Sequence, residues 1–580
     1  MPDVMKIDLS LGPFQAQVLS RIEKLAEEGF SARLWRKNPT LWKDSSKDMI
    51  QGALGWLDVP LAMKREAGEI GRFATSVKEA GFNHAVLLGM GGSSLAPMVF
   101  SNTFGSMPGY PELLVLDSTD PEAVKRVERM TDPLKTLFIV ASKSGTTIEP
   151  LSFFDYFHDI VSRHKAQSPG DNFIAITDPG TGLEDLSKRL GFRRVFLNPP
   201  DIGGRYSALS YFGIVPASMT GIYLEKLFEC VDEAVRACGP DVDGAENPGV
   251  LLGACLGVLA QAGRDKVTLV VSEGIEVLGL WIEQLLAEST GKEGKGLVPV
   301  TGEPLGAPVD YGPDRVFVRI GLRGDDEGLP ELDALKDAGH PVLSMELDDK
   351  YRLGGEFFRW EVATAVAGSI LGINPFDQPD VEDAKRRTRA YLEMMQAGEA
   401  PRALETSVEA SKFTLSFAGP LRDATAGAAA PEEALRRFTA FLEQGSYLAV
   451  LPYIDPWDEE FSGAVTSMRR FVKERFKVAT QFGYGPRYLH STGQLHKGGP
   501  PNGVFLIIIP SRDTGYDGVE IPGKGYTFRD LELAQAVGDM EALAARQRPV
   551  AVLGLRGTCS EELVESFKDF ESLLQTAVAG

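Results

Sequence analysis

Cysteine and histidine are scarce in this chain, and positive charge is outnumbered. The four cysteines, Cys230, Cys238, Cys255 and Cys559, form no CxxC pair and no zinc-ligand spacing. That excludes a dithiol redox motif and a structural zinc site, and it fits reduced thiols in a cytoplasmic setting. No apolar run reaches the roughly 18 residues of a membrane span. The longest tempting stretch, Gly503 to Pro510, reads as a buried strand. Met1 to Leu11 carries Asp3, Lys6 and Asp8 without a sustained apolar core, so it does not read as a signal peptide. Lys and Arg number 60 against 81 Asp and Glu, a formal net charge of −21. Nucleic-acid binding needs clustered basic residues, so no such partner is expected. An anionic ligand must be held by local positive groups working against the global field.

What is present is ordinary for a globular protein: 43% hydrophobic and 24% charged residues. A chain of 580 residues is too long for one core and predicts two to four domains. Apolar repeats over Phe14–Glu28 and Met49–Ala67 predict helices in an N-terminal helical segment, 1–69. From about residue 70 strands and helices alternate. Strands are expected at Ala85–Leu88, Leu113–Leu116, Leu137–Val140, Phe173–Ile176 and Arg194–Leu197. A second run, 241–397, has strands at Val267–Val271, Val316–Ile320 and Pro341–Met345, with helices near 276–288 and 355–371. This is the grammar of α/β domains built on parallel sheets covered on both faces. A smaller C-terminal α/β domain, 398–580, is expected to follow. It has an Ala/Gly-rich loop or linker at Ala424–Pro431, strands at Tyr447–Tyr453, Val478–Gln481, Val504–Ile509 and Val550–Leu555, and helices at Glu460–Phe476, 528–545 and 560–577. The stretch Gly483–Asn502 is rich in Gly, Pro and His, and loops of about 20 residues in compact domains are often functional.

Five segments carry chemistry. Gly89-Met90-Gly91-Gly92-Ser93-Ser94 follows a strand; it is either an anion-binding glycine turn or only a turn. Ser142-Lys143-Ser144-Gly145-Thr146-Thr147, ahead of Ile148-Glu149, places four hydroxyls and a lysine at an expected helix N-terminus. A cap uses one or two hydroxyls, so the excess points to a bound phosphate. The order is not that of a Walker A loop. Gly203-Gly204-Arg205-Tyr206-Ser207 pairs close backbone approach with a fixed charge suited to a developing oxyanion, or is a turn with a surface arginine. Gln284 and Glu288 share a helix face, where a carboxylate can act as general base; taken alone they read first as a surface pair. Asn374 to Lys385 combines a loop, including Phe376-Asp377-Gln378, with the start of a helix that carries Lys385.

Together and in this order the five resemble the phosphoglucose isomerase family, over about residues 70 to 390. The resemblance implies two doubly wound parallel-sheet domains of the sugar-isomerase (SIS) type, the first at 70–240 with the phosphate loop, the second at 241–397. It implies reversible isomerisation of glucose 6-phosphate and fructose 6-phosphate through a cis-enediolate, in glycolysis and gluconeogenesis. Gly92, Ser93, Ser142, Lys143, Ser144, Thr147, Gly204, Gln284 and Gln378 then bind substrate. Glu288 is the base, Arg205 stabilises the intermediate and Lys385 assists ring opening. No metal or redox cofactor is implied, because the proton moves within the sugar, and a homodimer is expected by analogy. Alternatives are an isomerase for another hexose phosphate and a non-enzymatic sugar-phosphate regulator.

The chain departs from the family pattern at Pro200 and at Asp380. The family's ring-opening histidine is also missing from its place: between Glu288 and Gln378 stands only His340, which reads as a turn before a strand. His490, in the segment that also holds His496, is therefore assigned as the C-terminal replacement, from the same or a neighbouring chain; a cap, a turn or another ligand contact are the other readings. The C-terminal region resembles the tail of bifunctional transaldolase/phosphoglucose isomerase proteins. A transaldolase barrel needs about 250 residues and only about 70 precede the first motif, so that activity is not expected here.

Overall fold

Short apolar runs become most of the strands of three sheets. The computed structural model describes residues 5–43, 47–397, 399, 406–511 and 518–579. The first four residues of the N-terminal stretch, and residue 398 at the expected domain boundary, lie outside the described residues. In chain order the strands are β1 (Asp8–Ser10), β2 (His84–Leu88), β3 (Glu112–Leu116), β4 (Thr136–Ala141), β5 (Phe173–Thr177), β6 (Arg194–Leu197), β7 (Lys266–Val271), β8 (Val298–Val300), β9 (Arg315–Leu322) and β10 (Val342–Leu347). The third sheet adds β11 (Val408–Glu409), β12 (Phe413–Ala418), β13 (Tyr447–Pro452), β14 (Ala479–Phe482), β15 (Gly503–Pro510) and β16 (Val550–Leu555).

The first sheet has the order β3-β2-β4-β5-β6, with every pairing parallel. Its strands are buried on both faces, and successive residues serve different cores. Ala85, Leu87, Leu137 and Ile139 join the main core with the N-terminal helices. Val86, Leu88, Phe138 and Val140 join a second core, which also takes in Phe528 and Leu531 from the C-terminal region. This is the period-two alternation of a strand working between two apolar layers.

The second sheet has the order β1-β10-β9-β7-β8. The parallel expectation holds for its inner strands, but β1 adds an antiparallel edge, with Asp8 opposite Ser344. The third sheet, β11-β12-β16-β15-β13-β14, is mixed: β12 pairs antiparallel with both β11 and β16. It encloses its own core around Leu448, Val465, Leu506 and Phe567. A further cluster, with Ala287, Val298 and Val300 against Ala449, Leu495 and Ile507, joins it to the second sheet. The C-terminal unit is thus seated on both preceding sheets by apolar contact.

Three sequence expectations change. The helix expected over Met49–Ala67 is broken into Lys47–Gln51, a turn at Gly55–Leu57, and a long helix Val59–Glu79. Pro60 stands in the first turn of that long helix, where a missing N–H costs nothing. The helix passes straight through the expected boundary at residue 70. Ala424–Pro431 is not a linker between domains; it connects helices Pro420–Thr425 and Pro431–Thr439 inside the C-terminal unit. Gly483–Asn502 is not one irregular loop, since it holds a turn of 3-10 helix at Arg487–His490 and a helix at Gly493–Gly498. Among the described residues no helix is long and apolar enough to cross a membrane, and the four cysteines are free thiols.

Candidate active site

In a sheet of this strand order the chain runs from β2 outward to β3 and then returns to β4. The crevice at the C-terminal ends of β2 and β4 is the switch point, where ligands bind in doubly wound folds. Both hydroxyl- and glycine-bearing segments lie there. Ser142–Thr147 joins β4 to the helix Ile148–His164, and the turn Gly91–Ser93 follows β2. Thr147 is the N-cap residue, yet its side chain does not cap the helix. Its hydroxyl pairs instead with that of Ser142 at 3.0 Å, and Ser144 pairs with Thr146 at 3.0 Å. The first N–H groups of a 17-residue helix are therefore left without a side-chain cap, which suits an anion. Gly145 is required here: its φ is +65°, and a Cβ would stand 2.8 Å from Thr181.

A cavity of about 510 Å³ opens on this loop, lined by Ser144, Thr146, Thr147, Lys385, His490 and Gln535 among others. Two expected phosphate ligands sit behind it. Ser142 is spent on Thr147, and Lys143 is ion-paired with Asp178 and donates to the Pro200 carbonyl at 3.1 Å. A larger cavity, about 720 Å³, lies at the matching end of the second sheet. Its lining mixes Glu273, Glu276, Asp325 and Glu327 with Arg319 and Arg469, and its hydroxyls, Ser272, Thr301, Ser462 and Thr466, come from separate segments and not from one loop.

Helix Leu278–Thr290 carries Gln284 and Glu288 one turn apart. Arg205, 2% exposed, stands in the turn Gly204–Tyr206. That turn and the one at Gly91–Ser93 touch so closely that a Cβ on Gly92 would lie 2.1 Å from the Gly204 carbonyl oxygen. Arg205 is held by four hydrogen bonds and an ion pair. Nε donates to Ser289 at 2.7 Å and Nη1 to Gln378 Oε1 at 2.9 Å, and Nη1 is ion-paired with Glu288 Oε1 at 3.1 Å. Nη2 donates to the carbonyls of Pro375 at 2.8 Å and Asp377 at 2.9 Å. Arg205 is thus a fixed positive charge beside Glu288. Lys292 secures the neighbouring turn through Asp377 Oδ1 at 2.7 Å, and burial pulls its ammonium down to about 8.

His490 reaches the site from its own chain. Its Nε2 lies 2.9 Å from Glu149 Oε1, at the start of the helix after the phosphate loop. Three contacts fix its backbone. Gln284 Nε2 donates to the His490 carbonyl at 2.7 Å, while also reaching Glu288 Oε2 at 3.1 Å. Gly91 comes so near that a Cβ there would be 2.6 Å from the same carbonyl oxygen. Arg487, three residues earlier, is bidentate on Asp117 just past β3, at 2.7 Å for both contacts. Burial works to raise the Glu149 carboxyl, but the His490 imidazole beside it and the Lys385 ammonium further off hold it below the usual glutamate range. Lys385 faces the cavity and pairs with Glu382 at 3.0 Å.

Of the other histidines, His496 is buried against Gln481 at 3.0 Å, and His340 packs by Tyr311 and Phe317 in the second sheet. Asp380, the second departure, holds the C-terminal unit through Gln494 at 2.7 Å and Arg546 at 2.8 Å. Residues that the sequence did not reveal are Thr119, Gln535, Asp117 and Arg487. Each lies hundreds of positions from its partner, and no local pattern marks it.

Glu283, beside Gln284, is 4% exposed. Burial pushes its carboxyl up to about 8, against the pull of Arg469 and Arg487. The native state therefore holds this proton more tightly than an unfolded glutamate does. Below about pH 4.5 both states are protonated and the group adds no pH dependence; stability then falls as pH rises to about 8 and is level above. Glu283→Gln removes that loss. Chemical denaturation at pH 5 and pH 9 should show the variant gaining on the parent by up to about 4 kcal/mol at the higher pH. An equal difference at both pH values contradicts the assignment.

Two doubly wound sheets with an anion-receptive loop at one switch point define an α/β protein of the sugar-isomerase type. The profile of the family described as "PGI: Phosphoglucose isomerase" matches residues 66–300. The chain is 32% identical over 379 residues to the glucose-6-phosphate isomerase of Rubrobacter xylanophilus, covering 55% of this chain and 84% of that protein. It is 28% identical over 403 residues to that of Carboxydothermus hydrogenoformans, covering 59% and 85%. Among solved structures, a glucose-6-phosphate isomerase from Chlamydia trachomatis superposes with a TM-score of 0.58 at 21% identity, over 68% of this chain and 89% of that one. A hypothetical protein from Thermus thermophilus gives 0.56 at 26%, over 67% and 100%. The chain belongs to the phosphoglucose isomerase family.

Proposed function

We propose that the protein interconverts glucose 6-phosphate and fructose 6-phosphate by moving a proton within the sugar. One observation carries the reading. The single amide nitrogen of Gln284 reaches both Glu288 and the His490 backbone, so the carboxylate is tied to the segment whose histidine lines the cavity on the hydroxyl-rich loop. Ser144, Thr146, Thr147 and the helix N-terminus take the phosphate, with Ser93 and Gly92 across the switch point and Ser142 and Lys143 shaping the loop from behind. Lys385 and His490 open the ring: the C1 hydroxyl gives up its proton, the ring oxygen takes one, and the bond from C1 to the ring oxygen breaks. Glu288 takes the C2 proton and returns it at C1 while the O2 hydroxyl proton passes to O1, so the carbonyl moves from C1 to C2 through a cis-enediolate. No electrons leave the sugar. Arg205, held by Gln378 and its carbonyl partners, keeps positive charge beside the carboxylate and the enediolate oxygens. The protein acts in the cytoplasm and, by analogy with paired α/β domains, as a homodimer, although every group named here lies on one chain.

The test is turnover by the purified chain. Fructose 6-phosphate should be converted to glucose 6-phosphate, followed as NADPH through glucose-6-phosphate dehydrogenase. Mannose 6-phosphate and glucosamine 6-phosphate run alongside. Turnover of one of these instead of fructose 6-phosphate reassigns the substrate, and binding without any turnover makes the protein a sensor.

A further inference from the structure

Glu149 Oε1 has two side-chain partners. One is His490 Nε2; the other is the amide of Gln535 at 2.6 Å. Gln535 is 2% exposed, lies in the helix Phe528–Ala545, and comes from outside the stretch that matches the family profile. Its own amide oxygen accepts from the Thr119 hydroxyl at 3.0 Å.

We propose that Gln535 is a positioning residue for ring opening, which with Thr119 fixes the proton arrangement of the His490–Glu149 pair. The inference rests on the isomerase reading above. An amide beside a carboxylate faces it with its NH2 group, because the reverse orientation sets two oxygens without hydrogens against each other. The Thr119 hydroxyl then donates to the amide oxygen and closes the chain. With an amide hydrogen already on Oε1, the carboxylate meets His490 as an acceptor too. The neutral imidazole therefore carries its proton on Nε2, and Nδ1 is left to exchange a proton with the sugar. The same amide bond favours the charged form of Glu149 against its burial, as hydrogen bonds to a carboxylate do. Without it Glu149 takes up a proton at higher pH, and the imidazole loses the acceptor that orients it.

The experiment compares the full chain with Gln535→Met, Q535E and Thr119→Val on fructose 6-phosphate across pH, with 15N spectra of the histidine rings assigned against a His490→Asn sample. Gln535→Met should lose roughly 10–100-fold in kcat with its acid limb moved to higher pH. Thr119→Val should move the same way by less. Q535E should move oppositely, with its optimum at lower pH than the parent, because the introduced carboxyl can donate to Glu149 only while protonated. His490 should show the Nε2–H tautomer in the parent near pH 8. The inference is overturned if folded Gln535→Met keeps more than half of the parent kcat with an unmoved acid limb, or if the parent shows the Nδ1–H tautomer. Should Gln535→Met not fold, the opposed pH shifts of Thr119→Val and Q535E decide. A parent that fails to turn over the sugar defeats the isomerase reading instead, and the tautomer still tests the positioning of His490.

Discussion

Glu288→Gln should abolish isomerisation while leaving the fold standing. The amide keeps the shape of the side chain, and its oxygen can still face Arg205 Nη1, now ion-paired with Glu288 Oε1 at 3.1 Å. What disappears is the basic oxygen that takes the C2 proton. General acid–base catalysis contributes typically 10²–10⁴-fold, and a base with no stand-in nearby places the expected loss at about 10³-fold or more in kcat. KM should change little, since Ser144, Thr146 and Thr147 lie on a different element from Glu288. The lost charge leaves buried Arg205 with neutral acceptors only. Some destabilisation, on the order of 1–3 kcal/mol, is therefore expected as a lower Tm with a single transition. The coupled assay and a melting curve check both parts. Retention of more than a tenth of the parent kcat removes Glu288 from the role of base.

The second large effect separates two chemical steps. His490→Gln should lower kcat on cyclic sugar phosphates by about 10²-fold or more, because proton transfer to the ring oxygen loses its imidazole. Glutamine can still donate to Glu149 and still offers its backbone carbonyl to Gln284, so the Glu288 end of the site stays assembled. The same variant should therefore keep most of its turnover on an aldose phosphate too short to close a ring. Equal losses on both substrates contradict a ring-opening role, and unchanged activity on both removes His490 from the chemistry.

The legible part of this site is the part written in short segments. Gly89–Ser94, Ser142–Thr147 and Gly203–Ser207 each follow a strand whose apolar run is plain, so their placement at strand ends could be read directly. Gln284 and Glu288 sit one helical turn apart, and their shared face follows from periodicity alone. Contacts between remote loops carry no such period. The bidentate pair of Arg487 and Asp117 spans 370 positions, and the bond from Thr119 to Gln535 spans 416. His490 could be picked out only because the family's usual place was empty, and nothing local distinguished it from His496. The edge strand β1 escaped for a different reason: Asp-Leu-Ser gives three residues with no apolar alternation, and it is a strand only because β10 offers an open edge. Arg205 was legible as a site residue, but not the way its guanidinium is tethered, since its acceptors include two backbone carbonyls that no side-chain pattern announces.

The apolar seating of the C-terminal unit has a consequence for durability. The helix that carries Gln535 puts Phe528, Leu531 and Ala534 into the same core as Phe153 and Phe154 of the Glu149 helix. Leu489 and Leu495, on either side of His490, pack in the cluster that holds Ala287 of the Glu288 helix. The imidazole and the amide therefore cannot be withdrawn from the site without stripping apolar cover from both of the other sheets.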